Sequence, residues 1–466
     1  MVRIGAMASP KSLLKSLLDR RELLAGLGAA AMTPIWPTLG SAQDSAKGLA
    51  QQGSAQSSAQ RRTALALQAK ASRFSPQTHQ PPVDVWSLAA PEVRLNRGDT
   101  LDIAFANDLP VPALPAFRGL DGSPAAEPLL ARPAVAPGGR ETLQLPLRHA
   151  GTAFCDLGLL GDGQAGPSRG LPLIVRESEP VAVDRDEVFL IEEWRLRADR
   201  TLVAPGTDAK DAESFHTING IFSTDPTAIP VRANERLRFR FINAGPRSAV
   251  AVKLEDLEVR VMAIDGQPAE PFPARNGAVV LAPGSRVDAF IDVTGPAGKR
   301  CNMLLHDGKQ ARLVGQWVIS SDPPVRPAAL PPAPPLPSNG LPAQLDLKNA
   351  QRIDLVLGGP QADWVSPANF TASSPPAFAT KAGRTVVLAL ANRADRATVF
   401  HLHGHHFRLL DRLDDGWKPF WLDTLAVEPG QTARIAFLAE HAGRYLLESV
   451  AADWSAPRLV RFYSVG

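Results

Sequence analysis

The chain is poor in the residues on which several protein classes depend. It has 2 cysteines, 9 histidines and 2 tyrosines among 466 residues, so it is no disulfide-rich scaffold and offers few thiolate or imidazole ligands for metals. Lysine and arginine number 50 and aspartate and glutamate 47, a formal net charge of +3. Such a balance gives no electrostatic basis for nucleic-acid binding. No apolar run makes a good membrane span, so we expect no transmembrane segment in the mature protein.

Proline is abundant, with 43 residues, and apolar residues occur in short alternating runs. Both features favour strands over helices, because proline breaks helices and a period of two turns one face of a strand towards a core. A chain of this length is too long for a single core and suggests about three domains. The sequence therefore predicts an all-β protein of several domains.

A threefold repeat runs through the chain. Pro-Gly pairs, which are turn signals, stand at residues 137–138, 283–284 and 429–430, each 146 residues from the next. A strand pattern that ends in asparagine precedes each pair. These asparagines are Asn107, Asn243 and Asn392. The repeat predicts three copies of one β-sandwich unit.

The repeat also gives domain boundaries. We assign the three units to residues 80–178, 179–322 and 343–466. Residues 323–342 are rich in proline and are predicted to be an extended linker between the second and third units.

The N-terminus has the pattern of an export signal. Arg20 and Arg21 precede an apolar run, and small residues follow at 40–42, the order of a twin-arginine signal peptide over residues 1–42. We expect the twin-arginine translocase to export the chain folded, which makes the mature protein periplasmic. Residues 43–79 are predicted to be a flexible spacer, since their first part is rich in Ala, Gln and Ser.

The two cysteines, Cys155 and Cys301, are also 146 residues apart. They therefore occupy equivalent positions of neighbouring units, which seldom meet. An exported protein can form disulfides, but two buried thiols are the interpretation that we favour. His149 and His441 precede an Ala-Gly turn in two repeats and are interpreted as structural, and His405 as a packing residue.

Several segments resemble laccase-type multicopper oxidases. Residues 400–407 (FHLHGHHF) and 423–430 (DTLAVEPG) are similar to the last domain of that family, and residues 215–220, 263–268 and 281–288 to its second domain. The resemblance covers about residues 80–466. It implies three tandem cupredoxin-like domains of Greek-key β-sandwich type.

The resemblance also implies that most copper ligands have been replaced. At the positions of the family's type 1 copper site this chain has Thr398, Ser449 and Trp454, where a blue copper centre needs one thiolate and two imidazoles. At the trinuclear cluster the first-unit ligand motifs fall on residues 116–119 (AFRG) and 156–158 (DLG). Oxygen reduction by the family mechanism would therefore be lost.

A residual metal site is one interpretation of what remains. His401 matches a type 2 and His403 a type 3 copper ligand, and Glu448 and Asp156 replace ligands of the same cluster. Two imidazoles and a carboxylate are enough for one copper or zinc ion. The alternative, which we favour, is a metal-free interface in which Arg118 pairs with Asp156 and Glu448 bonds to a histidine.

Two functions follow from these alternatives. The first is a non-catalytic periplasmic binding or scaffold protein without a cofactor. The resemblance includes a copper-free member of this fold that serves cell division, so the division machinery is the partner to expect. The second is a copper-binding oxidoreductase with a reduced metal site.

Overall fold

The computed structural model describes residues 61–75, 81–91, 95–164, 166–223, 225–359, 363–410 and 418–466. These residues form 29 strands and four 3-10 helices. The predicted signal peptide, residues 1–42, lies outside the described residues. The short helices are η1 (Pro124–Ala126), η2 (Gly158–Leu160), η3 (Arg275–Gly277) and η4 (Pro367–Asn369).

The first unit has nine strands in two sheets. One sheet has the order β6-β4-β1-β2-β8 and the other β3-β9-β7-β5. The strands are β1 (Arg62–Phe74), β2 (Val83–Ala89), β3 (Leu95–Asn96), β4 (Thr100–Asn107), β5 (Ala116–Arg118), β6 (Arg140–Pro146), β7 (Gly151–Asp156), β8 (Ser168–Arg169) and β9 (Leu171–Arg176).

The second unit has eleven strands. Its sheets have the orders β11-β10-β13-β18-β15-β16 and β12-β20-β19-β14-β17. The strands are β10 (Arg185–Leu196), β11 (Glu213–Ile218), β12 (Ile229–Val231), β13 (Arg236–Asn243), β14 (Val250–Leu254), β15 (Val259–Ile264), β16 (Gln267–Pro273), β17 (Ala278–Leu281), β18 (Arg286–Asp292), β19 (Arg300–His306) and β20 (Ala311–Ile319).

The third unit has nine strands. Its sheets have the orders β21-β23-β27-β25 and β22-β29-β28-β24-β26. The strands are β21 (Gln351–Leu357), β22 (Phe378–Thr380), β23 (Thr385–Asn392), β24 (Thr398–Leu402), β25 (Arg408–Leu409), β26 (Thr424–Val427), β27 (Thr432–Leu438), β28 (Gly443–Ala451) and β29 (Arg458–Val465).

The predicted repeat is present in the topology. The first strand of each unit pairs in parallel with a later strand, β1 with β4, β10 with β13 and β21 with β23. That second strand then pairs antiparallel with β6, β18 or β27. Three copies of one β-sandwich follow, and the all-β prediction is confirmed.

The asparagine of each repeat ties two loops together. Asn107 is fully buried, and its amide nitrogen donates to the carbonyl oxygens of Val111 and Val135. Asn243 and Asn392 make the same pair of bonds in their units. The Pro-Gly turn of each unit lies next to this asparagine. The glycine of each turn has a positive φ, a backbone conformation that glycine adopts without strain.

Each sandwich encloses its own apolar core. Alternation places Leu101, Ile103 and Phe105 of β4 in the first core, as the period of two predicts. In β13 the aromatic residues Phe239 and Phe241 fill the second core. The opposite face of β13 is buried as well. Its arginines can be buried because they form ion pairs with carboxylates of β10 and β18.

The spacer prediction is wrong for residues 62–74. They form β1, a 13-residue strand in the centre of a sheet. Leu65, Leu67 and Ala69 alternate towards the core, and Arg62 pairs with Asp102 of the neighbouring strand. The low-complexity composition of the residues before the strand concealed this alternation.

The proline-rich segment contains no strand, and none is present between Ile319 and Gln351. It packs closely against the sandwiches. Asn339 exchanges hydrogen bonds with the backbone of Ala150 and donates to the side chain of Gln267. The segment therefore joins the first and second units as well as leading to the third.

Two further expectations concern burial and membranes. Cys155 and Cys301 are free and buried, as favoured from their spacing. Within the described ranges, no helix combines the length and hydropathy that crossing a lipid bilayer requires.

Candidate functional site

The residues of the predicted site converge between the first and third units. His401 on β24 lies directly opposite Glu448 on the adjacent β28, and His403 follows the end of β24. Arg118 and Asp156 end the paired strands β5 and β7. All five side chains line one contact between two sandwiches.

His403 is held between two carboxylates. Its Nε2 lies 2.7 Å from an oxygen of Glu448, and its Nδ1 lies 2.7 Å from an oxygen of Glu127, the residue that follows η1. Burial favours the neutral imidazole, but the two carboxylates outweigh it and raise the pKa of His403 to about 9. Both ring nitrogens carry protons at neutral pH, so a metal would have to displace one of them.

Glu448 is surrounded by cations. The Nη2 of Arg118 lies 3.2 Å from both of its oxygens, and Nη1 of Arg458 donates to Oε2. Glu448 is 0 % exposed. Burial alone would raise the pKa of this carboxyl, but the two guanidinium groups and His403 hold it well below its usual range.

Arg118 extends the network to the first unit. Its Nε donates to Asp156 over 2.7 Å, and an oxygen of Asp156 accepts from the backbone amide of Gly158 over 2.7 Å. Burial lowers the pKa of Arg118, but Asp156 and Glu448 more than offset this and raise it. The contacts named in our metal-free interpretation, Arg118 with Asp156 and Glu448 with a histidine, are therefore present.

The network is balanced in formal charge. Three carboxylates face three cations, and the bonds connect all six side chains. These are Glu127, Asp156 and Glu448, with Arg118, His403 and Arg458. A buried network of this kind is stable only when every charge has a partner, so a divalent cation that displaced one proton of His403 would leave one positive charge without compensation.

His401 belongs to a different set of bonds. Its Nδ1 lies 2.9 Å from Oγ1 of Thr424, and that hydroxyl donates to Asp423. Because the hydroxyl proton of Thr424 is directed to Asp423, the ring nitrogen Nδ1 of His401 carries a proton and donates it to Thr424. Burial lowers the pKa of His401 well below its ordinary value. The imidazole is neutral and its Nε2 has no proton, which leaves one ring nitrogen able to accept a bond.

The distances alone admit a metal. One ligand atom from each of His401, His403 and Glu448 lies within 4.8 Å of the others. Asp156 does not belong to this group, because its carboxylate is bound to Arg118 and Gly158. The metal-binding role of the four residues predicted from sequence stays a prediction.

The positions assigned to a type 1 copper site hold other bonds. Thr398 is buried and its hydroxyl donates to the side chain of Asn392. The indole nitrogen of Trp454 donates to the carbonyl oxygen of Ala204. Ser449 is buried on β28. None of the three is a thiolate or an imidazole, so these residues do not fit a blue copper centre.

A cavity borders the network but is small. It has a volume of about 70 Å³ and is lined by Arg118, Asp156, His401, Glu448 and Arg458 among others. One water needs roughly 10–15 Å³ in this measure. The space therefore holds a few waters.

Sequence reasoning missed Glu127 and Arg458. Both come from segments without a motif, one beside a single turn of 3-10 helix and the other at the start of β29. The one available signal was indirect. Glu448 was predicted to lie in an interface, and a buried carboxylate requires cations around it. Nothing in the sequence indicated which arginines would supply them.

Comparison with known proteins places this geometry in context. Two models of the multicopper oxidase family match residues 185–301 and 344–461, together just over half of the chain. Laccase-3 of Oryza sativa subsp. japonica is 30% identical over 132 residues, which are 27% of this chain and 21% of that protein. The chain thus spans about a fifth of the length of this relative.

Solved structures show the same architecture. A multi-copper oxidase from Pseudomonas thermotolerans superimposes with a TM-score of 0.74 at 22% identity, covering 87% of this chain and 100% of that one. Lac15 from a marine microbial metagenome gives 0.69 at 24% identity, with coverage of 87% and 100%. McoA from Aquifex aeolicus gives 0.69 at 16% identity, with coverage of 87% and 96%. At these identities the likeness establishes the fold.

Proposed function

The chain belongs to the multicopper oxidase family, and we propose that it is a non-catalytic member that keeps the fold as a binding scaffold. In this proposal the contact between the first and third units is held by ion pairs in place of metal ions. A fold does not fix a function; the side chains at the contact between the units do.

The observation that carries the proposal is the double clamp on His403. Both ring nitrogens are bound to carboxylates, and both oxygens of Glu448 are bound to cations. A metal would have to remove a proton from His403 and break its bond to Glu448. It would also add charge to a network that is already balanced, at a cost of several kcal/mol for each unpaired buried ion.

The lack of a fitting type 1 site supports the same conclusion. Electrons from an organic substrate need a redox centre at which to enter the protein. Thr398, Ser449 and Trp454 offer two hydroxyl groups and an indole, which are poor copper ligands.

Copper loading provides the test. Protein purified aerobically from copper-supplemented cells should lack the intense thiolate-to-copper absorption in the red part of the visible spectrum. Oxidation of phenolic dyes should stay at the level of a metal-free control. A blue sample, or turnover above that control, would contradict the proposal.

A copper-binding oxidoreductase with a reduced site is the second candidate. The observation in its favour is the 4.8 Å grouping of His401, His403 and Glu448. The variant His403→Ala separates the two candidates, with Asp102→Asn, a surface ion-pair variant, as the matched control. Equal copper content in wild type and in both variants supports the scaffold, while copper lost only in His403→Ala supports the oxidoreductase.

The proposal includes a place of action. We expect export by the twin-arginine translocase and a protein partner in the periplasm, with the cell-division machinery as the first candidate. Because that translocase carries folded cargo, a C-terminal fluorescent fusion should be exported in a fluorescent state and concentrate at the division septum. Uniform fluorescence around the cell would exclude the division machinery as the partner.

A further inference from the structure

A second cluster of ligand-type side chains lies outside the network just described. Asp121 follows β5, His149 lies between β6 and β7, and His406 lies between β24 and β25. One ligand atom from each lies within 4.8 Å of the others. The Oδ2 of Asp121 is 2.6 Å from Nδ1 of His406 and 3.6 Å from Nδ1 of His149. None of the three contributes to the ion network around Glu448.

Hydrogen bonds determine which ring nitrogen of His406 faces the other two residues of the cluster. Its Nε2 lies 2.9 Å from the carbonyl oxygen of Asp265, so this nitrogen carries a proton and donates it. The remaining nitrogen, Nδ1, lies 2.6 Å from Asp121. Burial favours the neutral ring, but this carboxylate outweighs it and raises the pKa of His406 to about 9, so an ion would have to displace the Nδ1 proton to bind there. A backbone carbonyl that binds one ring nitrogen and so fixes the orientation of the other is the usual support of a metal-bound histidine.

A hydrogen bond from Gln267 determines the protonation of the His149 nitrogen that faces the cluster. Its amide nitrogen lies 2.9 Å from Nδ1 of His149, and its amide oxygen accepts from Asn339 over 3.0 Å, which fixes the direction of the amide. Nδ1 of His149 is therefore an acceptor with a lone pair. Gln267 is 1 % exposed, so this arrangement is built into the junction of all three units.

The spacing of the three atoms is close to that of a metal site. Ligands at about 2.0–2.1 Å from a tetrahedral zinc ion lie about 3.3 Å from one another. The observed 2.6 Å and 3.6 Å contacts fall on either side of that value. Small side-chain movements would open the first contact and release His149 from Gln267.

Access is provided by an open cleft. His149 forms part of its wall together with Arg148, Asn339, Glu440 and His441, and the cleft has a volume of about 400 Å³. Asp121 and His406 lie behind His149, both at least 90 % buried. His149 is the member of the cluster that lines this cleft, so we expect an ion, and a water as its fourth ligand, to enter from this side.

We propose that Asp121, His149 and His406 bind one divalent cation of the zinc class at the junction of the three units. Two imidazoles and one carboxylate suit zinc or copper and are a poor set for magnesium, which prefers oxygen ligands. Bound there, the ion would link loops of the first and third units. This assigns a ligand role to His149, which the sequence pattern suggested was only structural.

Titration of tag-free, chelator-treated protein with Zn²⁺ tests the site. Calorimetry and metal analysis should give one zinc per chain, and Mg²⁺ should give no binding. His149→Ala should weaken zinc binding by at least about 100-fold, since loss of an outer-shell partner alone costs about 10–100-fold. His441→Ala is the matched control, because it removes a histidine of the same cleft that lies outside the cluster.

Two further variants keep the test decisive if His149→Ala folds poorly. Asp121→Asn keeps the size of the side chain and should also weaken binding. His406→Gln removes the second imidazole of the cluster and should weaken binding as well. Circular dichroism without zinc checks that each variant is folded.

Three results would overturn the inference. They are no zinc bound by wild type, equal zinc binding in wild type and His149→Ala, and loss of zinc in His441→Ala. Loss of zinc in His403→Ala, with His149→Ala unaffected, would move the metal to the other cluster. That outcome would contradict this inference and the metal-free proposal together, whereas the first three leave the proposed function intact.

Discussion

Replacement of Glu448 by glutamine should strongly destabilise the protein. The substitution keeps the size of the side chain but removes the one carboxylate that contacts Arg118, His403 and Arg458 together. It would leave three buried cations facing Glu127 and Asp156 alone. The loss therefore concerns the charge balance of the network, with little change in packing.

The loss of stability in Glu448→Gln can be compared with the loss caused by the same substitution at another buried carboxylate, Glu192. Removal of one partner of a buried ion pair costs about 3–5 kcal/mol, and we expect Glu448→Gln to fall in this range. Glu192 is also buried, at 3 % exposure, and pairs with Arg169, which is partly exposed. Burial raises the pKa of Glu192, so the protein already disfavours its charge and Glu192→Gln should cost much less.

Urea unfolding at pH 7, followed by tryptophan fluorescence, measures both variants. A cost for Glu448→Gln within about 1 kcal/mol of that for Glu192→Gln would refute the reasoning. Acid provides an internal check. Because the folded pKa of Glu448 is depressed, its contribution is fully present above the unfolded value near 4.5 and is lost as the pH falls through the folded value. The difference between wild type and Glu448→Gln should therefore shrink only well below pH 4.5.

Three more predictions follow from the same structure. The pKa of His403 is raised to about 9. Its contribution to the free energy of unfolding is therefore present below the unfolded value near 6.5 and is lost as the pH rises through 9. Urea unfolding should show a smaller loss of stability over this pH window in His403→Gln than in wild type. Native protein should leave Cys155 and Cys301 unmodified by a thiol reagent, and denatured protein should react at two thiols without prior reduction; fewer than two would indicate a disulfide. The double variant Arg20→Lys, Arg21→Lys should remain in the cytoplasm on cell fractionation, and a normal periplasmic yield would contradict the assigned signal.

The fold could be predicted from sequence because its signals are local and repeated. Turn glycines recur every 146 residues and a strand-ending asparagine precedes each of them, and each requires a particular backbone conformation or bond wherever it occurs. The strand β1 escaped because its alternation involves only Leu65, Leu67 and Ala69, beside a stretch of low-complexity composition. A short alternating pattern is a weak signal when its neighbours are polar and small.

The candidate site was predictable only in part. A resemblance places Arg118, Asp156, His401, His403 and Glu448 near one another, because aligned positions converge in a shared fold. It cannot supply partners that the family does not use at those positions. Glu127 is more than 270 residues from His403 in sequence, and its carboxylate decides the charge of that imidazole.

Neighbouring histidines show most clearly why sequence cannot assign chemistry at this site. His405 and His406 are adjacent, and both are buried. His405 bonds to the hydroxyl of Tyr463, and burial without a close carboxylate lowers its pKa to about 3. His406 faces Asp121, and this carboxylate outweighs the same burial and raises its pKa to about 9. The charge of each ring, and with it the capacity to bind a proton or a metal, depends on side chains from distant strands and loops, so it is a property of the assembled junction.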